Sequence, residues 1–208
     1  MTLEALVLPP VIPSRLPHLP TRKRAWPAQG EWTYEDYENL PDDGQRYEII
    51  EGALYVAAAP NFHQYTVGEI FAALRTYVGE HELELVLVAL FEVRLPGIAL
   101  VVQPDVIFIP SEHTPHPGAL RFTGAPDLVV EVLSHSTART DKVVKFSAYE
   151  RAGVREYWLV APRVHSVEVY SLSGEGTLEL AGQYTPGETV TSGVLSDLAL
   201  SVDDLFVE

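Results

Sequence analysis

Cysteine is absent from the 208 residues, which excludes disulfides and every thiolate metal site and leaves no sign of an oxidising compartment. Long apolar runs are absent too, and no stretch approaches the ~18 uninterrupted apolar residues that a membrane span requires. The first residues lack a basic segment followed by an apolar core, since Pro9, Pro10 and Pro13 interrupt the only apolar run there. Neither a signal peptide nor a membrane partner is expected, and the default location is cytoplasmic. Asparagine occurs twice, glutamine five times and methionine once, beside 16 prolines; a heat-adapted source and a high-GC codon bias both leave that trace. Also missing are an HExxH zinc pair, a Walker-type glycine loop and a nucleophile elbow. Cations are scarce: 14 basic side chains face 29 acidic ones, for a net charge of −15. That balance argues against tight non-specific binding to polyanions, which relies on basic surface.

A hydrophobic content of 47% fits a globular chain, and the length suits one well-packed domain. Residues 1–30 hold six prolines and no periodic apolar pattern. They read as an extended or flexible arm, with Arg15, Arg22, Lys23 and Arg24 set against Glu4. A folded domain is expected over 31–208.

Thr33 suits the N-cap of a short helix that stops before Pro41, and Asp42-Asp43-Gly44 reads as a turn. Two strands over 47–57 flank a Glu51-Gly52 hairpin turn. Val67, Ile70, Phe71, Leu74 and Val78 recur at three- and four-residue spacing, which predicts an amphipathic helix over 62–79. Strands are expected over 83–95 and 101–109, with a turn at Pro96-Gly97 and a loop over 110–126. A strand over 128–133 leads to a helix over 139–152 closed by Gly153. Strands at 157–160 and 167–170, a meander at 178–180, 184 and 189–191, and a short helix opened by Ser201 complete the chain. The pattern is α/β (α+β): one mixed sheet with two principal helices.

Two carboxylates stand out. Glu131 sits in the middle of Leu128-Val129-Val130-Glu131-Val132-Leu133, and an unpaired charge inside such a strand is costly unless a cation, a hydrogen-bond network or a metal compensates it. Asp105 ends the run Val101-Val102-Gln103-Pro104-Asp105; capping a turn is the bland reading, but here it heads the strand Val106-Ile107-Phe108-Ile109, exposed to the sheet's edge or to a cleft. A structural ion pair of Glu131 with Arg94 or Arg121 is the bland reading. Residues 134–155 are locally basic, with Arg139, Lys142, Lys145, Arg151 and Arg155 against Asp141 and Glu150. In an α-helix Lys145 shares a face with Asp141, Val144, Ala148, Tyr149 and Ala152. Taken alone, Asp141 and Lys145 make a surface i,i+4 ion pair. Beside two acidic strands, Lys145 becomes the basic group of a metal-assisted phosphodiester site. Glu48 and Glu51, three apart, face opposite sides of a strand, so at most one points to that cleft. His63, at the start of the long helix, reads as a capping or packing residue. His113 and His116 read as solvated, and Ser134 and Ser136 as openers of the helix.

The ordered set Glu48-Ile49-Ile50-Glu51-Gly52, Pro60-Asn61-Phe62-His63, Pro104-Asp105, Val130-Glu131-Val132-Leu133-Ser134, Asp141…Lys145…Tyr149 and Gly153-Val154-Arg155-Glu156-Tyr157-Trp158-Leu159-Val160 resembles a bacterial family of restriction-endonuclease-like proteins, known as a domain of unknown function, within the PD-(D/E)XK nuclease superfamily. The resemblance runs from about Thr33 to Phe206 and leaves the arm outside. It implies a mixed sheet flanked by helices and a magnesium-dependent endonuclease acting on DNA, with manganese as a substitute ion. Asp105, Glu131 and the backbone carbonyl of Val132 would hold the metal. The superfamily pattern has a lysine two residues after the second acid, where this chain has Leu133. The family shifts that lysine into the following helix, which points to Lys145 rather than Lys142 as the catalytic base or orienting group. Glu48, His63 and Asp141 are accessory candidates. The competing reading is a non-catalytic module that keeps the nuclease fold for protein or nucleic-acid interaction. A homodimer is also expected, because Tyr157, Trp158, Tyr170, Tyr184 and Phe206 exceed what a small sheet needs for its own core.

Overall fold

The computed structural model describes residues 26–43, 45–57, 61–83 and 85–206. In chain order these form α1 (Tyr34–Glu38), β1 (Arg46–Ile50), β2 (Ala53–Ala57), α2 (Asn61–Glu80), β3 (Leu85–Val88), β4 (Glu92–Leu95), β5 (Ala99–Val102) and β6 (Val106–Ile109). Then follow β7 (Arg121–Thr123), β8 (Leu128–Val132), a π-helical turn (Thr140–Lys145) running into α3 (Phe146–Ala152), β9 (Glu156–Ala161) and β10 (Ser166–Leu172). The last strands are β11 (Leu178–Tyr184), β12 (Thr189–Thr191) and β13 (Ala199–Ser201), before a 3-10 turn at Val202–Leu205. Most of the proline-rich arm, Pro60 and Gly44 lie outside the described residues. Trp26, within the span read as arm, stacks on Trp32 with ring centroids 5.6 Å apart.

The expected single sheet is two. A five-stranded sheet runs β2-β1-β5-β4-β7 and a six-stranded one runs β11-β10-β9-β8-β6-β3, with β12 and β13 as a separate pair. Both larger sheets are mixed: β4 and β7 pair in parallel, as do β8 and β9, and the remaining pairs are antiparallel. The expected strand over 101–109 is broken at Gln103-Pro104-Asp105, because proline has no N–H to give a ladder. There the chain leaves one sheet as β5 and enters the other as β6. The stretch 83–95 likewise divides into β3 and β4, one in each sheet.

The long helix holds to its sequence pattern. Val67, Ile70, Leu74 and Val78 are buried and pack on Val86, Val106, Val130 and Trp158 of the six-stranded sheet. The opposite face of that sheet meets α3 and the five-stranded sheet through Val129, Leu133, Ala148, Tyr149, Tyr157 and Val102. β8 is therefore covered on both sides, which is why its sequence is continuously apolar except for Glu131. A parallel neighbour requires a crossover, and the segment 133–155 supplies it, carrying Lys145 back over the strand that holds Glu131.

Local signals also hold. Thr33 caps α1 through a reciprocal pair with Asp36. Gly153 closes α3 in the left-handed region at φ 86°. At the β1–β2 turn, Gly52 has φ 72°, and a Cβ there would lie 2.3 Å from the carbonyl oxygen of Gly30.

The aromatic residues read as a surplus are used within the chain. Tyr157 and Trp158 are fully buried, Phe206 is buried, and Tyr170 and Tyr184 are half-buried against the core. They give the homodimer expectation no support. Among the described residues no helix is long and apolar enough to cross a membrane.

Candidate nuclease site

Where the chain passes between the sheets, four carboxyl groups are buried within one neighbourhood: Glu48 on β1, Asp105 before β6, Glu131 on β8 and Asp141 in the π-helical turn. Strand alternation turns Arg46 and Glu48 to the same side of β1, while Glu51 lies off the strand in the exposed β1–β2 turn, so the opposite-faces argument does not apply to it. The expected α-helix over 139–152 begins instead as a π-helical turn, with the Phe146 N–H donating to the Asp141 carbonyl five residues back. π-Helical turns recur at functional sites. Here the turn buries Asp141 and Lys145 together and leaves Val143 exposed. The surface ion pair suggested by the helix alone is thus a buried one.

Lys145 is 2% exposed and lies at the centre of the group. Its Nζ donates to Glu131 Oε1 at 2.9 Å, sits 2.9 Å from Glu48 Oε1, and is 3.5 Å from Asp141 Oδ1. The Tyr149 hydroxyl donates to the same Glu131 oxygen at 2.8 Å, and the Gln103 N–H donates to Glu48 Oε1 at 2.8 Å. The Tyr157 hydroxyl donates to the Asp141 carbonyl and ties the π-helical turn to β9.

Asp105 is held differently. Arg46 Nη1 donates to its Oδ1 at 2.8 Å, the Val132 N–H donates to its Oδ2 at 2.9 Å, and His63 Nε2 lies 3.1 Å from Oδ2. Burial pushes the Asp105 carboxyl up, but the His63 hydrogen bond and the Arg46 charge prevail and bring it down to about 2. Glu131 goes the other way: burial raises it well above the carboxylate range, against the pull of Lys145 and with the push of Asp141, Asp105 and Glu48. Burial raises Asp141 as well, with Lys145 opposing. For Lys145 burial disfavours the charge, yet Glu131, Glu48 and Asp141 hold the ammonium proton more tightly than usual.

The site thus brings together Asp105, Glu131, Lys145, Glu48, Asp141 and His63, all candidates from sequence. Arg94 and Arg121 do not reach Glu131, and Arg121 faces Glu92 and Tyr34 instead. His113 and His116 are exposed, as expected for solvated imidazoles. Arg46 and Tyr149 were missed as site residues. Arg46 stands two before Glu48 on a strand, which places both on one face, and Tyr149 stands one turn after Lys145; both periodicities were in the sequence. His63 is more than a cap: it lies on the buried stripe four residues before Val67.

A divalent cation fits this donor set by charge and chemistry. Among the described residues four buried carboxyl groups face two permanent cations, Lys145 and Arg46, so the group carries a surplus of negative charge that protons or a cation must offset. All-oxygen donors suit a hard ion. Among the described residues Asp141 Oδ1 and His63 Nδ1 are buried with no hydrogen-bond partner, Lys145 Nζ approaching Asp141 Oδ1 only to 3.5 Å. Among the described residues no three His, Asp or Glu side chains stand ready-spaced around a metal, since Lys145 and Arg46 lie between the acids.

Residues 34–203 match the family model named Uma2, described as "Putative restriction endonuclease". The chain belongs to the Uma2 family. The chain also resembles a crystal structure of "a putative nuclease belonging to DUF820" from Anabaena variabilis, with a TM-score of 0.70 and 22% identity over 84% of this chain and 97% of that one. At that identity the likeness shows the fold, mixed α/β with two mixed sheets. No curated protein matches this chain.

Proposed function

We propose that this chain is a metal-dependent endonuclease that hydrolyses DNA phosphodiester bonds, with magnesium as its ion and manganese as a substitute. The observation that carries this reading is the buried lysine shared by Glu131, Glu48 and Asp141 beside Asp105. Such a surplus of buried acid around one base is costly for stability alone and suits a site that receives a cation. Asp105, Glu131 and the Val132 carbonyl would hold the ion, with Glu48 as an accessory donor. When bound, the ion supplies the Lewis acidity that activates water and offsets phosphate charge.

The chain's own groups do the rest. Lys145 keeps its proton and offers an N–H to the attacking water or to the oxygen that gains charge on the phosphorane. Glu131, Glu48 and Asp141 hold that ammonium in place, and Tyr149 fixes the rotamer of Glu131 through its hydroxyl. Arg46 and His63 orient Asp105 and keep it ionised.

One observation favours a second reading, a nuclease-fold module without catalysis: both carboxylate oxygens of Asp105 already have protein partners. Plasmid and linear duplex DNA incubated with the protein in magnesium or manganese separate the two. Cleavage by wild type and none by Asp105→Asn is the expected result. Intact DNA under every metal condition rejects the nuclease reading and leaves the non-catalytic one.

A further inference from the structure

A cavity of about 240 Å³ opens at the end of β8 and β9. Its walls include Leu133, Ser134, Ala161, His135, Lys142 and Arg163. Leu133 stands two residues beyond Glu131, so it continues the same face of the strand, and its N–H extends the ladder to the Val160 carbonyl at 2.7 Å. The floor of the cavity is thus the next rung after Glu131, roughly 7 Å farther along at ~3.3 Å per residue. That is the scale of a single nucleotide step.

The rim is cationic in a chain of net charge −15. Arg46, Arg121, Lys145, Arg151 and Arg155 each face a carboxylate. Lys142 and Arg163 are exposed and make no ion pair with a described residue, yet they come from separate segments to the same opening, with the exposed His135 between strand and helix. At about 30 Å³ per water the volume equals roughly eight waters. It falls below the ~300 Å³ at which pockets for whole small molecules begin. A phosphodiester fits it, with the cations on the phosphate oxygens and the sugar's carbon face on Leu133 and Ala161.

We propose that the cavity rimmed by Lys142, Arg163 and His135 is a backbone phosphate subsite for the nucleic-acid strand, one nucleotide from the bond presented to Lys145. The inference rests on the nuclease reading for its substrate class, and the two are tested apart. Anisotropy of a short fluorescein-labelled DNA duplex is followed against salt in calcium, which is hard and divalent like magnesium. Relative to wild type, the double variant K142A/R163A is expected to bind about tenfold more weakly at low salt. The slope of log affinity on log salt should become shallower by about 1 to 2, the loss of two phosphate contacts. R75A/R94A removes two other exposed cations that make no ion pair with a described residue and is expected to bind within about twofold of wild type.

A wild-type affinity and slope in K142A/R163A, with folding confirmed by an unchanged melting temperature, overturns the subsite. So does an equal loss in R75A/R94A, which would mean diffuse charge, or a wild type that binds no DNA. Pocket-dependent binding without cleavage in magnesium or manganese keeps the subsite and rejects the nuclease reading.

Discussion

The ammonium of Lys145 donates at 2.9 Å to a carboxylate oxygen of Glu131, a residue 14 positions earlier on the strand its own helix crosses, and neither side chain is more than 2% exposed. Lys145 is therefore both the proposed chemical group and the counter-ion that lets three acids share the interior.

Replacing Lys145 by Ala removes that counter-ion and leaves Glu131, Glu48 and Asp141 buried together. The sequence alone would let this variant keep its fold, since the helix retains its apolar contacts; the burial of Lys145 changes that expectation. We expect a loss of roughly 3–5 kcal/mol in urea unfolding at neutral pH. A loss below about 1 kcal/mol would show that the acids have other compensation.

Lys142→Ala is the contrasting single change. Its side chain is exposed and unpaired among the described residues, so stability should move by no more than about 0.5 kcal/mol. Cleavage at saturating DNA should continue. Abolished cleavage here with Lys145→Arg active would reverse the two lysines' roles.

Magnesium and manganese should raise the melting temperature by mass action, equivalent to about 2.7 kcal/mol at a hundredfold excess over the dissociation constant. Asp105→Ala should abolish this response. The same metal-induced shift in that variant would remove Asp105 from the ion's ligands.

Glu131→Gln separates stability from chemistry. The amide keeps the shape, and Lys145 retains Glu48 and Asp141 as partners. The variant should fold and lose cleavage by about a hundredfold or more, because the neutral side chain is a poor ligand for a hard ion. Near-wild-type turnover would place the ion elsewhere.

Gly52→Ala tests the fold away from the site. The new Cβ meets the Gly30 carbonyl at a backbone position of positive φ, so a loss of about 1–3 kcal/mol is expected. Unchanged urea unfolding would mean that the 26–32 segment does not pack on this turn in solution.

Much of this was legible in the residues. The apolar stripe of α2, the Thr33 cap, the Gly153 stop and the buried strand around Glu131 follow from periodicity and turn chemistry over short windows. Asp105, Glu131 and Lys145 were legible as unusual groups, and the family resemblance joined them. The division into two sheets was not, because an apolar run does not say which sheet it joins. Pro104 marked the break only in retrospect, and the same holds for the division between β3 and β4. Helical spacing at 100° per residue placed Lys145 inward but could not show the π-helical turn, where the Asp141 carbonyl accepts both the Phe146 N–H and, from β9, the Tyr157 hydroxyl. Strand alternation put Arg46 on the face of Glu48, but its partner Asp105 is 59 residues away, so the pairing itself was not legible.

The crossing of the chain between the two sheets at Asp105 has a consequence for how activity arises during folding. The acidic group draws on β1, α2, the β5–β6 link, β8 and the helix after it, so its members are joined only by contacts distant in sequence. Closing such long loops is slow relative to forming local helices. A chain still emerging from synthesis, or one clipped before Lys145, carries the acids without the lysine that lets three of them share the interior. The complete acidic group would then form only after the segment following β8 has folded back over that strand.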